Sequence, residues 1–176
     1  MPSNKSLDAA FELIKKDPSK LLGLTFGKHS VAEPGQFVSK AETQASPQLT
    51  HSSTSPTKTY LAISLDPDAP FAVFPVLGPV LHWIQPGLKS STSGGSLEAT
   101  EPFIANWVAA SPPPGSAPHR YIFILYEQPE GLETKKFAPK EGQEMGMGPR
   151  VRTSLDGWVT KLGLGEPVAV NYCTSN

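Results

Sequence analysis

Three short segments interrupt apolar stretches with residue types that can do chemistry. They are Asp66-Pro67-Asp68-Ala69-Pro70, His82 within Leu81-His82-Trp83, and Ser111-Pro112-Pro113-Pro114-Gly115 running on to His119-Arg120-Tyr121. A carboxylate, two imidazoles and a phenol suit either acid–base chemistry or the binding of an anion through hydrogen-bond donors. Each segment alone also has a plainer reading. The first is a good turn, because Asp side chains accept from nearby backbone N–H groups and proline fixes φ. A lone His in an apolar strand is more often a satisfied core residue, and a proline run is more often a rigid loop.

Placement along the chain makes the conjunction more informative than its parts. Asp66 ends one apolar run, His82 lies inside the next and His119 opens a third, so in a sheet all three can meet at one edge. Side chains alternate along a strand, which puts His119 and Tyr121 on one face and Arg120 on the other. A buried guanidinium needs a carboxylate, so Asp68 is the expected structural partner of Arg120.

The elements that must hold these groups are mostly strands. Tyr60-Leu61-Ala62-Ile63-Ser64-Leu65 and Tyr121-Ile122-Phe123-Ile124-Leu125-Tyr126 are continuous β-rich runs, expected as central strands, with Leu81-His82-Trp83-Ile84 as a third. Shorter strands are expected at 22–26, at 36–38, around Leu49, and at 167–172. Apolar residues at helical spacing predict one helix over 6–16, with Ser6 as N-cap and Asp17-Pro18 as stop, and a second over 154–162. Residues 89–95 read as a Ser/Gly/Thr loop and 128–150 as a long polar excursion.

Composition agrees. Of 176 residues, 19 are Pro and 15 are Gly, about a fifth of the chain against a usual ~12%, which disfavours a helix bundle. One domain over residues 1–176 is expected, with 1–18 as an N-terminal helical segment. The single Cys173 excludes an intrachain disulfide and points to a cytoplasmic setting. A net charge of −1 argues against a nucleic-acid partner, and no stretch reaches the ~20 apolar residues of a membrane span.

Taken in order and spacing, the DPDAP segment, His82 sixteen residues after Asp66, the Pro112-Pro113-x-Gly115-x-x-x-His119-Arg120-Tyr121 run and Tyr126-Glu127-Gln128 resemble the phosphatidylethanolamine-binding protein family. The resemblance spans roughly residues 20–173. Ala41-Glu42-Thr43-Gln44 and Leu162-Gly163-Leu164-Gly165-Glu166-Pro167-Val168 look like fungal members, among which are carboxypeptidase Y inhibitors. What the resemblance implies is a mostly β fold, a central antiparallel sheet packed on a smaller sheet with peripheral short helices, and an anion pocket at one edge. The matching pocket positions are Asp66, Pro70, His82, Pro112, Pro113, His119 and Tyr121. Aligned on the Asp66 to His82 spacing, two cis peptide bonds are expected at Asp66-Pro67 and Gly78-Pro79.

The leading expectation is a cytoplasmic regulatory protein that binds an anionic or phosphorylated ligand or a phospholipid head group, with a protease or kinase as protein partner and no cofactor. Protonated imidazoles at His82 and His119 would then strengthen binding as pH falls through about 6.5. The alternative is an enzyme of a biosynthetic pathway using Asp66, His82, His119 and Tyr121 as acid–base groups. A metal site of two His and one Asp is a third reading, although the spacing is not diagnostic. Three departures from the family pattern stand out. Ser111 replaces a glycine, the 71–79 segment is apolar where relatives are often charged, and the chain ends soon after the closing strand, without the C-terminal helix of many animal members.

Overall fold

The computed structural model describes residues 4–90, 95–140 and 143–176. Among the described residues eight strands are present: β1 (Gly23–Phe26), β2 (His29–Val31), β3 (Gln48–Thr50), β4 (Tyr60–Asp66), β5 (Val80–Ser90), β6 (Ser96–Ala99), β7 (His119–Glu127) and β8 (Pro167–Ser175). They form one antiparallel sheet in the order β2-β1-β3-β6-β5-β4-β7-β8. The smaller second sheet implied by the resemblance is not separate. The β3–β6 ladder, with Leu49 opposite Leu97 and Thr50 opposite Ser96, joins β2-β1-β3 to the long central strands.

The sheet nearly closes on itself. Backbone bonds from Leu22 N to Val170 O (3.1 Å) and Val38 N to Thr174 O (2.8 Å) occupy the outer edge of β8. Residues 36–38, expected as a strand, therefore make only an isolated bridge at Phe37. The concave face buries Leu24, Phe26, Leu49, Tyr60, Tyr121 and Phe123 together. The other face buries Leu61, Ile63, Ile122 and Ile124 under α1 (Lys5–Lys16) and α2 (Leu155–Leu162). Both faces of β4 and β7 are thus covered, which is why their sequences read as unbroken apolar runs.

The two helices fasten each other's N-termini. Asp156 accepts from the Lys5 and Ser6 backbone N–H groups, and the Asn4 side chain accepts from Leu155 N at 3.0 Å. The cap of α1 is Asn4 rather than Ser6, because the tertiary partner across the helix pair already satisfies the Ser6 N–H. Lys89 and Ser90, expected in a loop, are the last residues of β5, and 91–94 lie outside the described residues.

Strand β5 pairs with β6 only at Leu88–Ser90, so its first half has an open edge. Residues 104–108 cover part of it, with Ile84 N donating to Ala105 O and Val108 N to His82 O, both at 3.0 Å. The rest is closed by Arg150, a residue with no exposed surface. Its guanidinium donates to Leu81 O (3.1 Å), His82 O (3.3 Å), Asn106 O (3.0 Å) and Asn106 Oδ1 (2.6 Å), while Nε donates to Met145 O (3.1 Å). Five acceptors surround this cation, and among the described residues no carboxylate forms an ion pair with it. Burial lowers its pKa, opposed by the charge of Glu144.

Replacing Arg150 with Met leaves several buried carbonyls without donors, each costing ~1–3 kcal/mol. Arg150→Met should therefore lose about 3–5 kcal/mol in urea unfolding, and Arg150→Lys should regain less than half, since one ammonium cannot serve a planar fork of acceptors. A loss under about 1 kcal/mol for the Met variant would show that the open edge tolerates unpaired carbonyls.

Candidate functional site

The end of the sheet formed by the C-terminus of β4 and the N-termini of β5 and β7 holds most of the chemistry-bearing side chains. Asp66 closes β4 and is buried. Its Oδ1 accepts from Asp68 N at 2.8 Å, the local turn that the DPDAP sequence favours, and its Oδ2 lies 2.9 Å from His119 Nδ1. On the far side of the ring, His119 Nε2 donates to Pro70 O at 3.1 Å. One proton must therefore sit between Oδ2 and Nδ1 and another on Nε2, whichever partner formally carries the first. Burial raises the Asp66 pKa, and the bonds from His119 and the Asp68 amide pull against it.

The bonds at Ala69-Pro70 and Gly78-Pro79 are cis. Asp66-Pro67, expected cis, is not among them. Asp66 still pairs with Val80 in the ladder, and its carboxylate holds the next turn, so the chain reverses three residues later. The Pro70 carbonyl faces His119.

His82 arrives by a different device. Ser64 faces Trp83 across the β4–β5 ladder while Leu65 faces Leu81, so His82 is the extra residue of a β-bulge. Alternation fails here. Trp83 packs in the concave-face core, and the adjacent His82 ring also turns to that side, meeting Tyr121 edge-on at 5.0 Å and Trp107 at 6.1 Å. Strand parity by itself would have separated these neighbours.

His82 Nδ1 donates to Val108 O at 2.6 Å, which fixes the tautomer with the lone pair on Nε2, and that bond is the ring's one hydrogen bond among the described residues. Burial holds its pKa down to about 4, with the cations of Arg150 and His119 adding to the effect and the Val108 carbonyl opposing it. His82 is thus a neutral acceptor at physiological pH, not the imidazolium donor expected from its residue type. Burial, then the charge of Asp66, keeps the Tyr121 phenol protonated, with the Ser111 backbone amide opposing.

Asp66, Pro70 and His119 are brought into one bonded group, and His82 and Tyr121 into ring contact beside it. Pro112 is buried and Pro113 half-buried on the loop that starts at Ser111. Arg120 stays outside the group, as its strand position requires, but its side chain is 46% exposed and not buried as expected; the buried charge of the pair is Asp68. It forms a fork with Asp68 at 2.9 Å from Nε and 2.7 Å from Nη2, and its guanidinium carbon stands 5.0 Å from the Phe11 ring centroid on α1. Among the described residues, no group of three or more His, Cys, Asp or Glu is disposed to hold a metal ion. The geometry explains this, since both His119 nitrogens and His82 Nδ1 already have protein partners. Sequence reasoning missed Val108, Trp107 and Arg150, which position His82 from other elements, and only the oddity of a basic residue after Gly148-Pro149 hinted at the last.

The family model described as phosphatidylethanolamine-binding protein matches residues 22–173. The chain belongs to this family. A carboxypeptidase Y inhibitor from Saccharomyces cerevisiae is 29% identical over 127 residues, 64% of this chain and 57% of that protein. A phomoidride biosynthesis cluster protein from Talaromyces stipitatus is 35% identical over 102 residues, 53% of this chain and 48% of that protein. The chain thus spans about half the length of these curated relatives. A carboxypeptidase Y inhibitor solved with its cognate proteinase superposes with a TM-score of 0.73 at 19% identity, covering 97% of this chain and 93% of that one, which is a likeness of fold.

A His that is neutral when folded and has an ordinary pKa when unfolded makes stability depend on pH. Between about 6.5 and about 4 the unfolded chain binds a proton at this position that the native state does not, so stability falls as pH falls through that window. Acidification from pH 7 to pH 4.5 should cost the wild type about 2–3 kcal/mol more than it costs His82→Gln, read from urea melts at each pH. Parallel losses in the two proteins would place a charged His82 in the native state.

Proposed function

We propose that this family member is a regulatory binding protein whose ligand seats at the Asp66, Pro70, His82, Pro112, Pro113, His119 and Tyr121 cluster. The observation that carries this reading is the pairing of an open acceptor, His82 Nε2, with a protonated phenol, Tyr121, on rings 5.0 Å apart. Such a pair complements a group that both donates and accepts. A hydrogen phosphate, a protonated carboxylic acid, or a head group that joins phosphate to an ammonium has that character, whereas a fully deprotonated anion offers His82 nothing. The bonded Asp66–His119–Pro70 unit is the rigid wall beside it, with no free ring nitrogen of its own.

A protein partner of the protease or kinase class is part of the proposal, supported by the named inhibitor among the relatives. No helix among the described residues is long and apolar enough to cross a membrane. The cytoplasmic setting rests on the lone, buried Cys173.

A second reading has its own support in the Talaromyces relative, named for a biosynthesis cluster. In it the same residues act on an organic substrate, with His82 Nε2 as the base and the Tyr121 phenol as a hydrogen-bond donor. Turnover with a bell-shaped pH profile, abolished in His82→Ala, would establish it.

Glycerophosphoethanolamine is a suitable probe because neither its phosphodiester nor its ammonium titrates between pH 5 and 8. Calorimetry should give an affinity that stays flat across that range and falls by roughly 10- to 100-fold in His82→Ala. Affinity that climbs as pH drops through about 6.5 would require a cationic His82, and an unchanged affinity in the variant would remove His82 from the site.

A further inference from the structure

Between Asp68 and His82 the chain carries no charged residue. Its middle stands out from the protein at the end of the sheet that holds the candidate site. Of the six large hydrophobic residues that are exposed among the described ones, four lie here: Phe71 (41%), Val73 (94%), Phe74 (65%) and Leu77 (40%). Single exposed apolar residues are ordinary, but a cluster of this kind on seven residues marks a contact surface.

The loop is already shaped. Phe74 N donates to Phe71 O (2.8 Å), Val76 N to Phe74 O (2.9 Å), Leu77 N to Ala69 O (3.1 Å) and Gly78 N to Pro75 O (3.1 Å). Arg152 clamps its base, donating from its backbone to Leu77 O and from Nε to Val76 O, both at 3.0 Å. Many of the loop's backbone groups are thus satisfied from within the protein, which is the condition for entering a medium that offers no hydrogen bonds. It also removes those groups from pairing with an added strand of a protein partner.

Charge completes the pattern. Arg120 on β7 is neutralised by Asp68 of the neighbouring turn, but among the described residues no carboxylate pairs with Arg152. An apolar tip with one uncompensated guanidinium at its base matches the layering of a bilayer surface, acyl chains below and phosphates above. We propose that the 71–77 loop inserts into the head-group and acyl boundary of an anionic phospholipid bilayer, with Arg152 on a lipid phosphate. This contact does not depend on what the His82 cluster binds.

Co-sedimentation of the full chain with phosphatidylcholine vesicles, with and without about 30% phosphatidylserine, tests it. The wild type should partition to the serine-containing vesicles. Val73→Asp and Phe74→Asp should each weaken that partition at least ~10-fold, and Arg152→Gln about 5-fold while leaving the weaker binding to pure phosphatidylcholine unchanged. Val73 is so exposed that its substitution leaves folding intact, and an unchanged thermal midpoint verifies this. Phe74→Trp should show bromolipid quenching over the background of Trp83, Trp107 and Trp158. Absence of wild-type binding, or equal binding by Val73→Asp and Phe74→Asp, would overturn the proposal. So would concentration-dependent self-association lost in Phe74→Asp with no quenching of Phe74→Trp, since a second copy would then cover the loop. Glycerophosphoethanolamine binding by Val73→Asp, measured in parallel, keeps the fate of this loop separate from that of the ligand site.

Discussion

The open edge of β5 is the constraint around which the structure is arranged. A long central strand whose first half lacks a strand neighbour presents carbonyls that cannot be left bare in a dry interior. Residues 104–108 answer part of that demand, and a buried guanidinium answers the rest. The same covering segment supplies the Val108 carbonyl that fixes His82. Closing the edge and orienting the site are therefore one structural task, and a residue without any exposed surface governs a side chain that is a candidate for ligand contact.

Two histidines at the same end of one sheet receive opposite treatment. His119 is held at both nitrogens, by a carboxylate and by a carbonyl, and serves as a strut between β4, β7 and the turn at Pro70. Among the described residues His82 is held at one nitrogen only, close to a fixed cation, and is kept neutral by burial. An anion site built on two imidazolium donors would be a site of strong, pH-dependent attraction. In the proposed ligand site a matched donor and acceptor would take the place of that attraction, and would select for the protonation state of a ligand more than for its charge.

The β4–β5 bulge is the local event that makes this possible. Without it, strict alternation would put His82 and Trp83 on opposite faces, and only one of the two could share the face of Tyr121. The extra residue lets an aromatic core residue and a candidate ligand contact share one face, and a second register shift lies at the other end of the same ladder, between Tyr60 and Ala62.

The strands β4, β5 and β7, the two helices, the Asp68–Arg120 fork and the partnership of Asp66 with the third segment were legible in the sequence, because each follows from apolar period, local turn chemistry or the need of a buried charge for a partner. The joining of the expected two sheets into one, the cap at Asn4, the reversal at Pro70 and the neutrality of His82 were not. All four depend on groups far away in the chain: Leu97 for the sheet, Asp156 for the cap, His119 for the Pro70 carbonyl, and Val108 with Arg150 for the imidazole. Residue type and spacing decide which groups are available and which strand carries them. Hydrogen-bond partners and burial decide what those groups are chemically, and both are set only when distant segments close around them.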